Sequence, residues 1–269
     1  MRCCVGADTI FIIGAAAVGL CLGSFLNVCI LRLWHEDPKR RSLLHPPSTC
    51  PQCKQRIAWR DNIPVFSWLW LRGKCRWCHK AISIQYPIIE AVVALLWVVS
   101  LLVYGPSARA VSAALFGTIL LGIGVIDARH KIIPDELSLG GLVVGLALSL
   151  AGGFPGLVTA LLGAAVGWGV LWIVRVAGGW VFKQEAMGWG DVKMLSLIGA
   201  FVGWRNALLT IFVAALLGSA FYLPLMLMNI KQWRRYELPF GVFLALAAAV
   251  TFVFGDAMVS WYADFLKVH

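Results

Sequence analysis

Apolar and polar positions do not alternate finely along this chain; they separate into long blocks. Eight apolar segments stand out, at roughly 9–33, 86–104, 110–127, 137–152, 156–178, 192–204, 207–229 and 240–257. A bilayer core takes about 20 consecutive apolar residues per helical crossing. In lipid, a helix is one of the few folds that satisfies all of its own backbone polar groups. The pattern therefore predicts an all-α polytopic membrane bundle of about eight transmembrane helices. The segment 192–204 is short for a crossing. A polar insert, 34–85, separates the first two segments, and the other connections are brief and often marked by Gly or Pro. The expected division is a first transmembrane helix over 1–33, an insert over 34–85 and a transmembrane core over 86–269.

Composition agrees with a bilayer. Of 269 residues, 60% are hydrophobic and only 13% charged, against about 25% charged in soluble domains. The net charge of +10 raises nucleic acid as a partner, but the basic residues sit in short loops and form no groove or stacking module. No nucleic-acid partner is expected. With the insert placed in the cytoplasm, nineteen Lys and Arg fall inside and four outside, in line with the positive-inside rule. This topology puts the N-terminus outside. The first apolar run exceeds a signal-peptide core and keeps basic residues on its far side, at Arg32 and Lys39 to Arg41, so it reads as a retained span.

Most of the thirteen acids lie in loops. Two lie at the membrane boundary beside small residues: Asp127 ends the third segment, and Asp191 opens the sixth in Gly188-Trp189-Gly190-Asp191. In the predicted topology both are at cytoplasmic helix ends. Acids there are often caps or solvated ends, and Asp191 suits a helix dipole. As a pair they allow another chemistry. Two carboxylates at close range share a proton, so one takes a proton from water while the other donates to a substrate carbonyl. Gly188 and Gly190, lacking a β-carbon, are expected to give a substrate backbone access to Asp191.

The insert carries Cys50-x-x-Cys53 and Cys75-x-x-Cys78, 21 residues apart. Two such pairs supply four thiolates to a tetrahedral, structural zinc; redox-active or unligated thiols are the alternatives. His79 is expected to be a bystander. Trp59, Phe66, Trp68, Trp70 and Trp77 stand among basic residues, as in an interfacial belt facing membrane lipids together with a small hydrophobic core. The alternative is a dock for anionic lipid or for a substrate.

These residues together resemble a known family. Gly188-Trp189-Gly190-Asp191 matches the G-x-G-D motif of membrane aspartic proteases. Asp127 to Pro134-Asp135 is similar to the D-x(6)-P-D stretch of type IV prepilin peptidases. Gly23-Ser24-Phe25-Leu26-Asn27-Val28 with Arg32, the two cysteine pairs, Tyr86-Pro87 with Glu90, and Leu238-Pro239-Phe240-Gly241 resemble further signatures of that family in order. Ile126 stands where presenilin-like proteases have Tyr. The insert is similar to that of the bifunctional bacterial enzymes rather than the shorter archaeal preflagellin peptidases.

The resemblance implies an aspartic endopeptidase of the bacterial inner membrane, active at the cytoplasmic face. Asp127 and Asp191 would be its catalytic pair, hydrolysing without a covalent intermediate. It implies prepilin or pseudopilin substrates, removal of their leader peptide, and N-methylation of the new terminus with S-adenosylmethionine; a peptidase without methyltransferase activity is the alternative. No glycine-rich fingerprint for that donor is present, so methylation rests on the resemblance alone. Glu90, one turn into the second span, would line a cavity or the methyltransferase site, or pair with a loop Arg. Asn27 would bond another helix or take part in methylation. Asp135 is expected to be a helix N-cap, with a substrate contact as the alternative, and Lys193 a marker of the cytoplasmic boundary. A transporter would require internal repeats and acids at mid-membrane, and neither is visible.

Overall fold

The computed structural model describes residues 2–43, 45, 47–183, 187–228 and 239–268. The expected basic residues Lys231, Arg234 and Arg235, and Leu238 of the last motif, lie outside them. Long helices dominate: α1 (Arg2–Arg32), α2 (Gln85–Tyr104), α3 (Ala108–His130), α4 (Asp135–Ser149), α5 (Gly153–Phe182), α6 (Trp189–Met228) and α7 (Phe240–Val268). Among the described residues, seven helices are long and apolar enough to cross a membrane. Most extend beyond the apolar segments predicted for them, because a helix continues into polar residues until its backbone is capped. The chain forms two compact units, Met1–Thr118 and Ile119–His269.

In the first unit, α1 and α2 cross at very close range. A β-carbon on Gly19 would lie 2.6 Å from Ala94 Cα, and one on Gly23 would lie 2.7 Å from Glu90 Cα. Gly19, Gly23 and Asn27 thus face Ala94, Glu90 and Tyr86 in turn, so the helices run antiparallel. Small residues four apart allow such an approach where no hydrophobic effect drives association in lipid. The insert between them is mostly irregular. Trp68 anchors it, lying against Gly73 and donating from Nε1 to the Ile82 carbonyl at 3.3 Å. Trp59, Trp70 and Trp77 are exposed.

The second unit is organised around α6. Its first limb packs on α5 with glycine against glycine: β-carbons on Gly163 and Gly199 would each lie 2.0 Å from the opposite carbonyl oxygen. Ser196 donates to the Ala164 carbonyl at 3.1 Å in the same contact. The second limb packs on α7, with the Thr210 and Thr251 hydroxyls 2.6 Å apart and Asn206 donating to Asp256 at 3.0 Å. Between the limbs, Gly203 adopts φ 77° and ψ 169°, a region open essentially to glycine alone.

The neighbours of the two limbs fix their directions. The first limb starts at the end of the unit where Gly190 touches Ile133, and α7 starts at the same end, where Gly241 also touches Ile133. Residues 206, 210 and 218 meet 256, 251 and 243 in turn. The second limb therefore runs back toward the end from which the first departed. The sixth and seventh predicted segments are one helical run reversed at Gly203. The first limb, about 14 residues, is roughly 21 Å long at 1.5 Å per residue.

Candidate active site and metal centre

Asp127 lies on the last turns of α3 and is 4% exposed. Burying a carboxylate is costly unless it is hydrogen-bonded, and α7 supplies the donors. The Val242 N–H donates to Asp127 Oδ2 at 3.0 Å, and the Gly241 N–H donates as well. These are first-turn amides of a helix N-terminus, where backbone dipoles favour negative charge, and the Val242 N–H also reaches the Pro239 carbonyl at 3.3 Å. The contact needs glycine: a β-carbon on Gly241 would lie 2.8 Å from Asp127 Oδ2 and 3.0 Å from Ile133 Cδ1.

Asp191, half-buried on the first turn of α6, accepts from the Gly188 N–H and interacts electrostatically with Asp127. Ile133, in the loop after α3, lies between the two sides, touching both the Gly241 and Gly190 positions. A β-carbon on Gly190 would lie 2.8 Å from Ile133 Cβ, whereas one on Gly188 would meet only Asp191 Oδ2 at 3.5 Å and the Gly190 N at 3.9 Å among the described residues. Gly190 thus packs against the loop, while Gly188 is uncrowded by other elements among the described residues.

Two contacts fix the helix starts around the acids. Arg175 of α5 donates to the Met187 carbonyl, and its guanidinium lies 4.7 Å from the Trp189 ring centre. Asp135 differs from expectation. Pro134 occupies the N-cap position of α4, Asp135 is the first helical residue, and its side chain caps nothing. Instead it pairs with Lys193 at 2.8 Å and 2.9 Å, joining the N-termini of α4 and α6. A side chain one position inside a helix reaches a neighbouring cation more readily than its own amides, and Lys193 lies one turn of α6 away. Sequence reasoning missed the Gly241–Val242 cradle and the role of Arg175. The lone Arg within the apolar segment 156–178 was the available signal for the latter.

In the insert, Cys50, Cys53, Cys75 and Cys78 are free thiols whose sulfurs all lie within 4.8 Å of one another. Cys50 and Cys78 Sγ are 3.8 Å apart. A tetrahedron with Zn–S bonds of about 2.3 Å has edges of roughly 3.8 Å, so the four residues fit a tetrahedral metal. Both knuckles are built alike. The Cys50 N–H bonds the Gln55 carbonyl and the Lys54 N–H bonds the Cys50 carbonyl; Cys75, Lys80 and His79 repeat these bonds. Lys54 and His79 take equivalent positive-φ positions, which leaves His79 outside the thiol cluster. N–H groups of Cys53 and Gln52 bring the Cys50 thiol down to about 6, favouring a thiolate at neutral pH. Cys53 accepts from the Gln55 N–H, but burial and the neighbouring sulfurs outweigh that bond and push it up to about 11.

Glu90 and Asn27 come together in the α1–α2 crossing. Glu90, 6% exposed, accepts from the Val65 N–H at 2.7 Å and from the Ser24 hydroxyl. It pairs with no Arg among the described residues. Asn27 donates to the Gly23 and Tyr86 carbonyls at 3.3 Å and 3.1 Å, so it does bond another helix. No strand is formed among the described residues, and hence no strand-to-helix glycine loop to cradle an adenosyl group.

Fold and site together define a polytopic membrane protein with an acid pair at one end of a helix bundle and a four-thiol centre in a polar insert. Residues 17–104 match the Bacterial Peptidase A24 N-terminal domain, and residues 114–223 match the Type IV leader peptidase family. The chain is 36% identical to a prepilin leader peptidase/N-methyltransferase of Aeromonas salmonicida, over 90% of each chain. It is 39% identical to one of Pectobacterium carotovorum, over 91% of this chain and 92% of that one, and 37% identical to one of Xanthomonas campestris, over 93% and 94%. No solved structure matches. The chain belongs to the type IV leader peptidase family.

Proposed function

We propose that this chain is an inner-membrane aspartic endopeptidase that removes the leader peptide of prepilins or pseudopilins and N-methylates the new terminus. The observation that carries the peptidase reading is the arrangement of Asp127 and Asp191. They come from separate helices to one end of the second unit, are held by backbone amides, and interact with each other. In this reading a water molecule lies between the carboxylates. The ionised one takes its proton as the oxygen attacks the scissile carbonyl, and the protonated one donates to the carbonyl oxygen. The tetrahedral species then collapses. The C–N bond breaks, the leaving nitrogen receives a proton, and a free carboxyl and a free amine result without a covalent intermediate. Gly188 leaves room for substrate backbone, and Gly190 holds the loop of Ile133 against α6. The charge pattern supports an acid pair facing the cytoplasm and an N-terminus outside.

In the same reading Cys50, Cys53, Cys75 and Cys78 hold a structural zinc. Four protein ligands leave it no open position for catalysis. S-adenosylmethionine would supply an electrophilic methyl group to the amine released by cleavage. Asn27 and Glu90 are the residues of this chain that we place beside that chemistry.

The test is incubation of the purified protein with a prepilin, with and without S-adenosylmethionine, read by mass. Leader loss and one added methyl are expected, and leader loss alone would leave a peptidase. Asp127→Asn and Asp191→Asn should each abolish cleavage while the protein stays folded. Wild-type cleavage by either folded variant would overturn the acid pair.

A further inference from the structure

The α1–α2 crossing contains buried acceptors that, among the described residues, no cation meets. Glu90 carries a carboxyl, yet its donors are a backbone amide and a hydroxyl, both neutral. Within one helical turn lies Asn27, 1% exposed. Its Nδ2 is committed to two carbonyls, which fixes the amide orientation, and its Oδ1 has no hydrogen-bond partner. An unmet buried acceptor costs about 1–3 kcal/mol. A carboxyl and an unpartnered amide oxygen about one helical turn apart along the same crossing would both be met by one kind of group, a cation with several N–H donors.

The segment over this site is held in an unfavourable conformation. Val65 has φ 60° and ψ −52°, an outlier for a β-branched residue. The Phe66 N–H bonds the Pro64 carbonyl at 2.6 Å, which closes a strained γ-turn around Val65. This turn aims the Val65 N–H at Glu90. An N–H donor therefore already occupies the carboxyl, on a turn whose strain is relieved if that bond is released. Strain of this kind is retained where the surrounding structure overrides it.

We propose that Glu90 and Asn27 form a binding site for a primary ammonium group, and that the Val65 amide fills it when no ligand is bound. This inference rests on the N-methylation reading and deepens it by naming the chemistry recognised. Two sources carry that group: the N-terminus exposed by leader removal, and the α-ammonium of S-adenosylmethionine. The sulfonium of the donor does not fit, because it has no N–H to offer Asn27 Oδ1. Both helices, the glycine crossing and the γ-turn belong to one compact unit, so the site is complete within it.

Binding to the full-length protein in micelles tests this without methyl transfer. One pair of probes is a leaderless pilin peptide with a free N-terminus and its N-acetylated form. The other is S-adenosylhomocysteine and methylthioadenosine, which lacks the ammonium. In one pair, the wild type should bind the free-amine member on the order of tenfold tighter or more, as expected for a charge-assisted contact. The pair that shows the ratio identifies the source. Glu90→Gln should erase that ratio, and Glu90→Asp should restore part of it. Equal affinity within both pairs for the wild type overturns the proposal, whether or not the Gln variant folds. A ratio undiminished in a folded Glu90→Gln also overturns it. Absence of methyl transfer would remove the methyltransferase reading instead, and would leave the binding ratios to decide this one.

Discussion

Asp127 Oδ2 lies closer to Gly241 than any side chain there would permit: a β-carbon at that position would stand 2.8 Å from it. The start of α7 is thus shaped around the carboxylate of α3. Gly241→Ala should push Asp127 off the Val242 amide without emptying the core. A displacement near 1 Å can cost about a hundredfold in rate, so cleavage should fall by roughly that factor with the melting temperature little changed. Cleavage kinetics beside a melting curve check this, and unchanged kinetics would show that Asp127 does not depend on its seat.

Gly203 carries a different expectation. Its φ of 77° and ψ of 169° suit glycine, and Ala there should destabilise the fold by about 1–3 kcal/mol from backbone strain. The nearest atom to the added carbon is Thr159 Cγ2, at 3.4 Å, so crowding adds little. Unfolding in mixed micelles measures the loss. An equally stable Gly203→Ala would mean that the two limbs do not reverse there.

Replacing Cys50 and Cys53 together by Ser should remove about one equivalent of zinc per chain and loosen the insert, since metal binding free energy is folding free energy for such small units. Metal analysis with hydrogen exchange over 34–85 reads both effects. A full complement of zinc in protein lacking all four insert cysteines would sink the assignment.

Asp61 accepts two bonds from Arg76 Nε and Nη2, at 2.8 Å and 2.5 Å, and this guanidinium holds its carboxyl below the ordinary 3.8. A depressed folded value means that the pair stabilises fully above 3.8 and loses its effect as pH falls through that lower value. Asp61→Asn should therefore exchange faster in the insert than wild type at pH 6, and the difference should shrink below about 3.8. A gap that widens in acid would contradict the sign.

Sequence reading reached the long-range layout because lipid imposes it. Apolar blocks, basic loops and two acids at like depth all follow from the cost of polar groups in hydrocarbon. It placed the four cysteines through their spacing. It did not reach what depends on a single backbone geometry. Nothing about Val65 signals a positive φ, since β-branched residues avoid it, and its amide meets Glu90, 25 residues away, in a contact no local rule predicts. The partnership of Asp135 with Lys193 joins residues 58 apart, so the local rule for N-caps competed with a tertiary contact and lost. Gly19 and Gly23 were legible as small residues four apart, but their partner helix was not.

The first limb of α6 spans roughly 21 Å, while hydrocarbon is about 30 Å thick. A bilayer meeting so short a limb thins around it or lets water follow it inward, at a modest cost per ångström. In the proposed reading, the half-buried carboxylate at its start would then lie where the bilayer is locally thinned. A substrate whose scissile peptide borders its own hydrophobic helix would not need to be extracted. On the proposed function, such a substrate reaches the acid pair by lateral diffusion within the bilayer.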